Sequence, residues 1–153
     1  MHVEALNYAL TNVPAEKTRI HICWGNYEGP HVCDIGMDKV FKTLMGAKAS
    51  QLLFETSNPR HAHEWTVFRD RKAEIPDNKI LVPGVLDTTT NFVEHPELVA
   101  ERIRRFVDIV GADRVIAGTD CGFGTFAGFG TIDPAIAYAK LASLAEGAEL
   151  ASA

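Results

Sequence analysis

Two rhythms of apolar and polar positions alternate along this chain, a period-two pattern followed by a period near 3.6, and the pair occurs four times. The opening stretch, Val3 to Leu10, carries apolar residues at helical spacing and ends before Pro14. Residues 18–24, Thr-Arg-Ile-His-Ile-Cys-Trp, alternate and predict a strand. A loop from Gly25 to Gly36 leads to a helix over Met37 to Met45, stopped by Gly46. The second strand is predicted over Ser50 to Phe54. Asn58 at N-cap and Pro59 at the first helical position then predict a helix running toward Phe68. Lys79 to Val85 predicts the third strand. Pro96 opens a helix with Val99, Ile103, Phe106, Val107 and Val110 on one face and Gly111 at its end. Arg114 to Thr119 predicts the fourth strand. Asp133-Pro134 caps a last helix in which Ala137, Leu141, Leu144, Ala145 and Ala148 align.

Strands alternating with helices imply parallel pairing and an α/β layer architecture. No internal boundary or low-complexity segment interrupts residues 1–153, so one domain is expected. The composition is that of an ordinary soluble protein, 46% hydrophobic and 23% charged. A complete (β/α)8 barrel normally takes about 250 residues, so 153 residues allow only part of one. The formal charge is −5 and the basic residues are scattered, which argues against a nucleic-acid partner. No apolar run approaches the ~18 residues of a membrane span. Met1-His2-Val3-Glu4-Ala5 lacks the positive and apolar regions of a secretory signal, so a cytoplasmic location is expected. In that reducing setting, three cysteines that are not merely packed read as metal ligands or nucleophiles rather than bridges.

The candidate chemistry lies at strand ends. In His21-Ile22-Cys23, His21 and Cys23 share one face of the strand, while Ile20, Ile22 and Trp24 take the other. Imidazole and thiolate together suit zinc. On this pair alone a buried cysteine beside a hydrogen-bonded histidine is the stronger reading, because Cys is among the most buried residue types. Phe54-Glu55-Thr56-Ser57 and Thr119-Asp120-Cys121-Gly122 change the balance. His21, Cys23, Glu55 and Cys121 all fall at carboxyl ends of parallel strands, and those ends share the rim on which α/β proteins build sites.

His21-Ile22-Cys23-Trp24-Gly25-Asn26, Phe54-Glu55-Thr56-Ser57, Pro83-Gly84-Val85-Leu86-Asp87 and Thr119-Asp120-Cys121-Gly122 resemble, in order, the catalytic barrel of cobalamin-independent methionine synthases. Trp24-Gly25-Asn26-Tyr27-Glu28-Gly29-Pro30-His31 and Asn58-Pro59-Arg60-His61-Ala62-His63-Glu64-Trp65 resemble more closely the branch that includes epoxyalkane–coenzyme M transferases. The resemblance implies the C-terminal half, four βα units, of a TIM (β/α)8 barrel. It implies Zn²⁺ held by His21, Cys23, Glu55 and Cys121. It also implies methyl or alkyl transfer to a thiol such as homocysteine or coenzyme M, from methyltetrahydrofolate or an epoxide. The leaving group needs a proton, and Asp87 is the catalytic candidate. The synthases place a histidine shortly after this acid. Here Thr88-Thr89-Thr90 follows and the next histidine is His95, which counts against folate-dependent chemistry.

Other features carry milder expectations. Gly122-Phe123-Gly124-Thr125-Phe126-Ala127 fits a dinucleotide fingerprint formally, but no strand follows to bear a ribose-binding acid, so a substrate loop is the better reading. His61 and His63 are two apart on a predicted helix and do not face each other, which makes them surface residues beside an inward Trp65. Cys33 is expected to be a spectator, and Arg60 either an anion contact or a solvated side chain. His95 precedes Pro96 and serves as a helix cap. Four βα units leave two open sheet edges. Closure by a second copy or by a separate N-terminal half-barrel is therefore expected, and a non-catalytic remnant or assembly subunit is the rival to the enzyme.

Overall fold

The alternation in the first two strands sorts their side chains onto two surfaces. Ile20, Ile22, Leu52 and Phe54 turn toward helices, while Arg19, His21, Gln51 and Leu53 point the other way and keep some or most of their exposure. The computed structural model describes residues 2–124, 127–128 and 132–153. After α1 (His2–Ala9), the chain runs β1 (Arg19–Ile22), α2 (Met37–Met45), β2 (Gln51–Phe54), α3 (Trp65–Asp70), β3 (Ile80–Leu86), α4 (Pro96–Val110), β4 (Gly118–Thr119) and α5 (Pro134–Ser152). The strands form one parallel sheet in the order β1-β2-β3-β4. Each helix thus returns the chain to the adjacent strand, and all four carboxyl ends lie on one rim.

The helix-facing side of the sheet is closed by an aromatic cluster. Phe54 of β2 stacks on Phe68 of α3 with centroids 4.3 Å apart, and Phe41 and Phe106 meet this pair edge-on at 5.3–5.6 Å. All four rings are essentially removed from water. Burying such rings is worth roughly 1.5–3 kcal/mol each, which anchors α2, α3 and α4 on the sheet.

Three predicted elements came out differently. Residues 58–64 form turns and the helix begins only at Trp65. Asn58 Oδ1 does accept the N–H groups of Arg60 and His61, at 3.2 and 3.3 Å, but as a local turn. Its own N–H and Nδ2 are drawn across the sheet to Asp120. The fourth strand shrinks to Gly118–Thr119, because 112–114 wind into a 3-10 turn and Val115 keeps a single bridge to Leu81.

The third difference concerns α5, which buries Lys140, Ser143 and Gly147 most deeply; of the aligned residues Leu144 and Ala148 pack half-buried against the core, while Leu141 is exposed. Lys140 Nζ donates to Glu94 Oε2 at 2.8 Å, Ser143 bonds the Glu94 carbonyl, and Glu94 Oε1 accepts the Asp87 N–H at 2.8 Å. The buried ammonium therefore ties α5 to the loop after β3. Gly147 lets α5 approach α4, since a Cβ there would meet Val99 Cβ at 2.5 Å and the Pro96 carbonyl at 2.9 Å. Gly147→Ala is expected to lower stability by about 1–2 kcal/mol by urea unfolding, because overpacking outweighs the gain in helix propensity.

The predicted caps hold elsewhere. His95 Nδ1 accepts the Glu97 N–H and Asp133 accepts that of Ala135, each ahead of a proline at the first helical turn. No helix among the described residues is long and apolar enough to cross a membrane.

Candidate metal centre

Register decides which strand-end residues meet. His21 pairs with Leu53 and Ile22 with Phe54, so Cys23 and Glu55 leave β1 and β2 at the same level. Cys121 follows β4, and Thr119 Oγ1 donates to the Cys121 carbonyl at 2.6 Å, closing the turn that aims its sulfur back. Ligand atoms of His21, Cys23 and Cys121 all lie within 4.8 Å of one another. Cys121 Sγ is 3.5 Å from His21 Nε2 and 3.4 Å from Glu55 Oε1. Tetrahedral zinc with Zn–S of about 2.3 Å and Zn–N of about 2.0 Å places its ligand atoms roughly 3.5–3.8 Å apart. The spacing and the donor types both fit such an ion. Cys33 is exposed and takes no part in this cluster.

The charge in this corner is one-sided. Burial, the Glu55 carboxylate and the Cys23 sulfur together push the Cys121 thiol well above its ordinary range. Of these, the Glu55 carboxylate and the Cys23 sulfur are the like-signed neighbours that a bound cation would offset.

Behind the donors stands a frame that the sequence did not reveal. Asn58 Nδ2 donates to Glu55 Oε2 at 2.9 Å, leaving Oε1 toward Cys121. Asp120, 2% exposed, accepts the backbone N–H groups of Thr56, Ser57 and Asn58 at 2.9, 3.0 and 2.7 Å. Burial pushes its carboxyl up to about 7; the three N–H donors pull the other way, and Glu55 adds a further push upward. Gly84 makes room for this carboxylate, since a Cβ there would fall 2.1 Å from Asp120 Oδ1 and 2.6 Å from its Cα. Thr56 and Ser57 hydroxyls both donate to the Gly84 carbonyl. Asn26 ties the loops together, donating to the Gly122 carbonyl at 2.8 Å and accepting from Thr88 Oγ1 at 2.9 Å. The neighbours of Cys121 and Glu55 in sequence, Asp120 and Asn58, carried the only available signal for these roles.

Asp87 is buried at the end of β3, its Oδ1 accepting the N–H and hydroxyl of Thr89 at 2.9 and 2.8 Å. It lines a cavity of about 170 Å³ with Tyr27, Asn58, Arg60 and Thr89. Arg60 reaches the Tyr27 carbonyl and Asn58 Oδ1, both at 3.4 Å. His61 and Glu64 are buried, against the expectation of a surface pair, because the turn over 58–64 folds them under the loop after β1; His63 is exposed. Of the Gly122–Ala127 fingerprint, Thr125 and Phe126 lie outside the described residues.

Comparison with known proteins agrees with this layout. The profile of the family described as "Cobalamin-independent synthase, Catalytic domain" matches residues 12–141. A 2-hydroxypropyl-CoM lyase of Xanthobacter autotrophicus is 29% identical over 99% of this chain and 45% of its own length. A methionine synthase of Thermococcus kodakarensis is 30% identical over 97% of this chain and 37% of its own. The fold matches the solved structure of a B12-independent methionine synthase from Shewanella sp. W3-18-1 in complex with selenomethionine, with a TM-score of 0.72 at 24% identity over 97% of this chain and 42% of that one. The chain thus spans less than half the length of these relatives, and its four parallel strands correspond to half of a TIM barrel. With the profile covering most of its length and the donor cluster in place, this chain belongs to the cobalamin-independent synthase catalytic-domain family.

Proposed function

We propose that this chain is the metal-bearing half of a methionine-synthase-like transferase barrel that moves a methyl or alkyl group onto a small-molecule thiol. The observation that carries the reading is the meeting of His21, Cys23 and Cys121 ligand atoms within 4.8 Å, with a Glu55 oxygen 3.4 Å from the Cys121 sulfur. His21, Cys23, Glu55 and Cys121 would hold Zn²⁺. When bound, the ion supplies a thiolate at neutral pH, since coordination removes the proton of a thiol whose free pKa is ~8.5.

The rest falls to the chain's own side chains. Asn58 orients the Glu55 carboxylate, and Asn26 holds the loops after β3 and β4 at the rim. Asp87 is the acid that protonates the leaving group; its Oδ1 is fixed by Thr89, and the residue fronts a small cavity beside Asn58 and Arg60. Both relatives' names, methionine synthase and 2-hydroxypropyl-CoM lyase, support chemistry at a thiol of the homocysteine or coenzyme M kind. Protein purified without added metal and then titrated with zinc is expected to take up close to one ion per chain. Uptake near zero would sink the reading.

A second inference concerns assembly. β1 and β4 are the terminal strands of a parallel sheet whose counterpart in the relatives is part of a longer chain. These edges are expected to pair with four further βα units, whether of the same polypeptide, a separate N-terminal half or a second copy. Light scattering that finds a well-behaved monomer, alone and with such a half, would exclude closure. In that case the non-catalytic remnant becomes the better account.

A further inference from the structure

One buried cluster of ionisable groups is left unused by the chemistry above. His61, in the turn after β2, is 4% exposed, and Glu64 is 6% exposed. His61 Nδ1 lies 3.0 Å from Glu64 Oε2, and its Nε2 lies 3.0 Å from Asp34 Oδ2. Asp34 also meets His31 Nδ1 at 3.1 Å, and His31 Nε2 is 3.2 Å from the Tyr27 carbonyl. The second Glu64 oxygen accepts the Met37 N–H at 2.8 Å. The Trp24 indole stacks on the His61 ring, with centroids 3.9 Å apart and planes 14° from parallel, and its Nε1 donates to the Ile35 carbonyl.

The ring therefore has a carboxylate oxygen at hydrogen-bond distance from each nitrogen, one from the loop after β1 and one from the turn after β2, and it bridges the two segments. It lies flat against the Trp24 indole, which fixes its orientation from the third side. Among the described residues, His31 and His61 are the only basic side chains within ion-pair distance of Asp34 or Glu64. Burial alone would raise the Asp34 carboxyl, but the bonds and charge of His61 and His31 outweigh it and hold that group below the usual carboxylate range.

Trp24 directly follows Cys23, and the same loop carries Asn26, which bonds the loop of Cys121. We propose that His61 is a positioning residue for the metal centre: bridging Asp34 and Glu64 and stacked on Trp24, it locks the loop 24–36 and thereby sets where Cys23 stands. The inference rests on Cys23 being a ligand, as argued above. His61 itself touches neither substrate nor metal.

Two measurements, exchange protection and zinc affinity, test it. In His61→Ala, hydrogen-exchange protection of the Met37 amide, which Glu64 Oε1 accepts at the end of this loop, is expected to fall about tenfold or more. Zinc affinity should fall by about 10- to 100-fold, the range typical when a group that orients a ligand is lost. His61→Gln, whose amide still donates to one carboxylate, should recover part of both, and His63→Ala should change neither. Unchanged protection and affinity in either His61 variant overturns the proposal, and the glutamine variant decides it if the alanine variant does not fold. A wild-type chain that binds no zinc would instead sink the metal reading itself, while zinc binding indifferent to His61 sinks only the positioning role.

Discussion

Cys121→Ala is expected to weaken zinc binding by well over about a hundredfold while the chain stays folded. Loss of a group that merely orients a ligand costs about 10- to 100-fold in affinity, and loss of a sulfur donor costs more. Cys121 is the donor that touches both neighbours, at 3.5 Å from His21 Nε2 and 3.4 Å from Glu55 Oε1. Its side chain is only half-buried, and the turn around it is held through its carbonyl, which alanine keeps. Competition against a chelator measures the affinity, and Cys33→Ala, at an exposed position, is the control that should leave it unchanged. Binding should also weaken as pH falls, because the thiols must lose their protons to bind. Burial, Glu55 and Cys23 all favour the protonated form of Cys121, so uptake should release protons measurably. A Cys121→Ala protein that binds zinc like the wild type would remove the basis for the transferase reading.

Asp120→Ala should act on the whole fold. The carboxylate accepts N–H groups from three successive residues, Thr56, Ser57 and Asn58, and the Asn58 side chain at 3.1 Å. Alanine leaves the three N–H groups buried without this partner, while the Asn58 side chain keeps Glu55. At roughly 1–3 kcal/mol for each orphaned N–H, the total is about 3–9 kcal/mol, a large share of the 5–15 kcal/mol that holds a typical domain together. Thermal unfolding should fall by about 10 °C or more for a chain of this size. Asp120→Asn keeps one oxygen for Thr56 and Ser57 and should cost visibly less. A melting curve for the alanine variant within about 3 °C of wild type would contradict this account. The two sites are coupled, since Asn58 also carries the Glu55 carboxylate, so Asp120→Ala should loosen the metal corner as it destabilises the sheet.

Local patterns alone located most of the architecture. The alternation in 18–24 put Ile20, Ile22 and Trp24 against the core and His21 and Cys23 on the opposite face, and the structure keeps that division. Pro96 after His95, Pro134 after Asp133, and Gly46 mark helix ends where the structure has them. These signals are legible because strand alternation, helical periodicity and capping depend on residues within a few positions of each other. The same is true of the four donors, whose common rim follows from parallel connection alone.

What the sequence left open depends on groups far apart in the chain. Asn58 reads as a helix cap, yet its amide and side chain answer to Asp120, 62 residues away, and the helix waits until Trp65. Lys140 and Ser143 face inward on α5 because Glu94 of another loop stands opposite, where apolar alignment favoured Leu141 and Ala145. His61 and Glu64 are buried because Asp34 and Trp24 close over them. The chain by itself thus determined a parallel α/β half-barrel and the residue types of its candidate metal corner. Tertiary structure alone decided which buried polar group meets which, because each of them must find a partner once water is excluded and the nearest one belongs to a different βα unit.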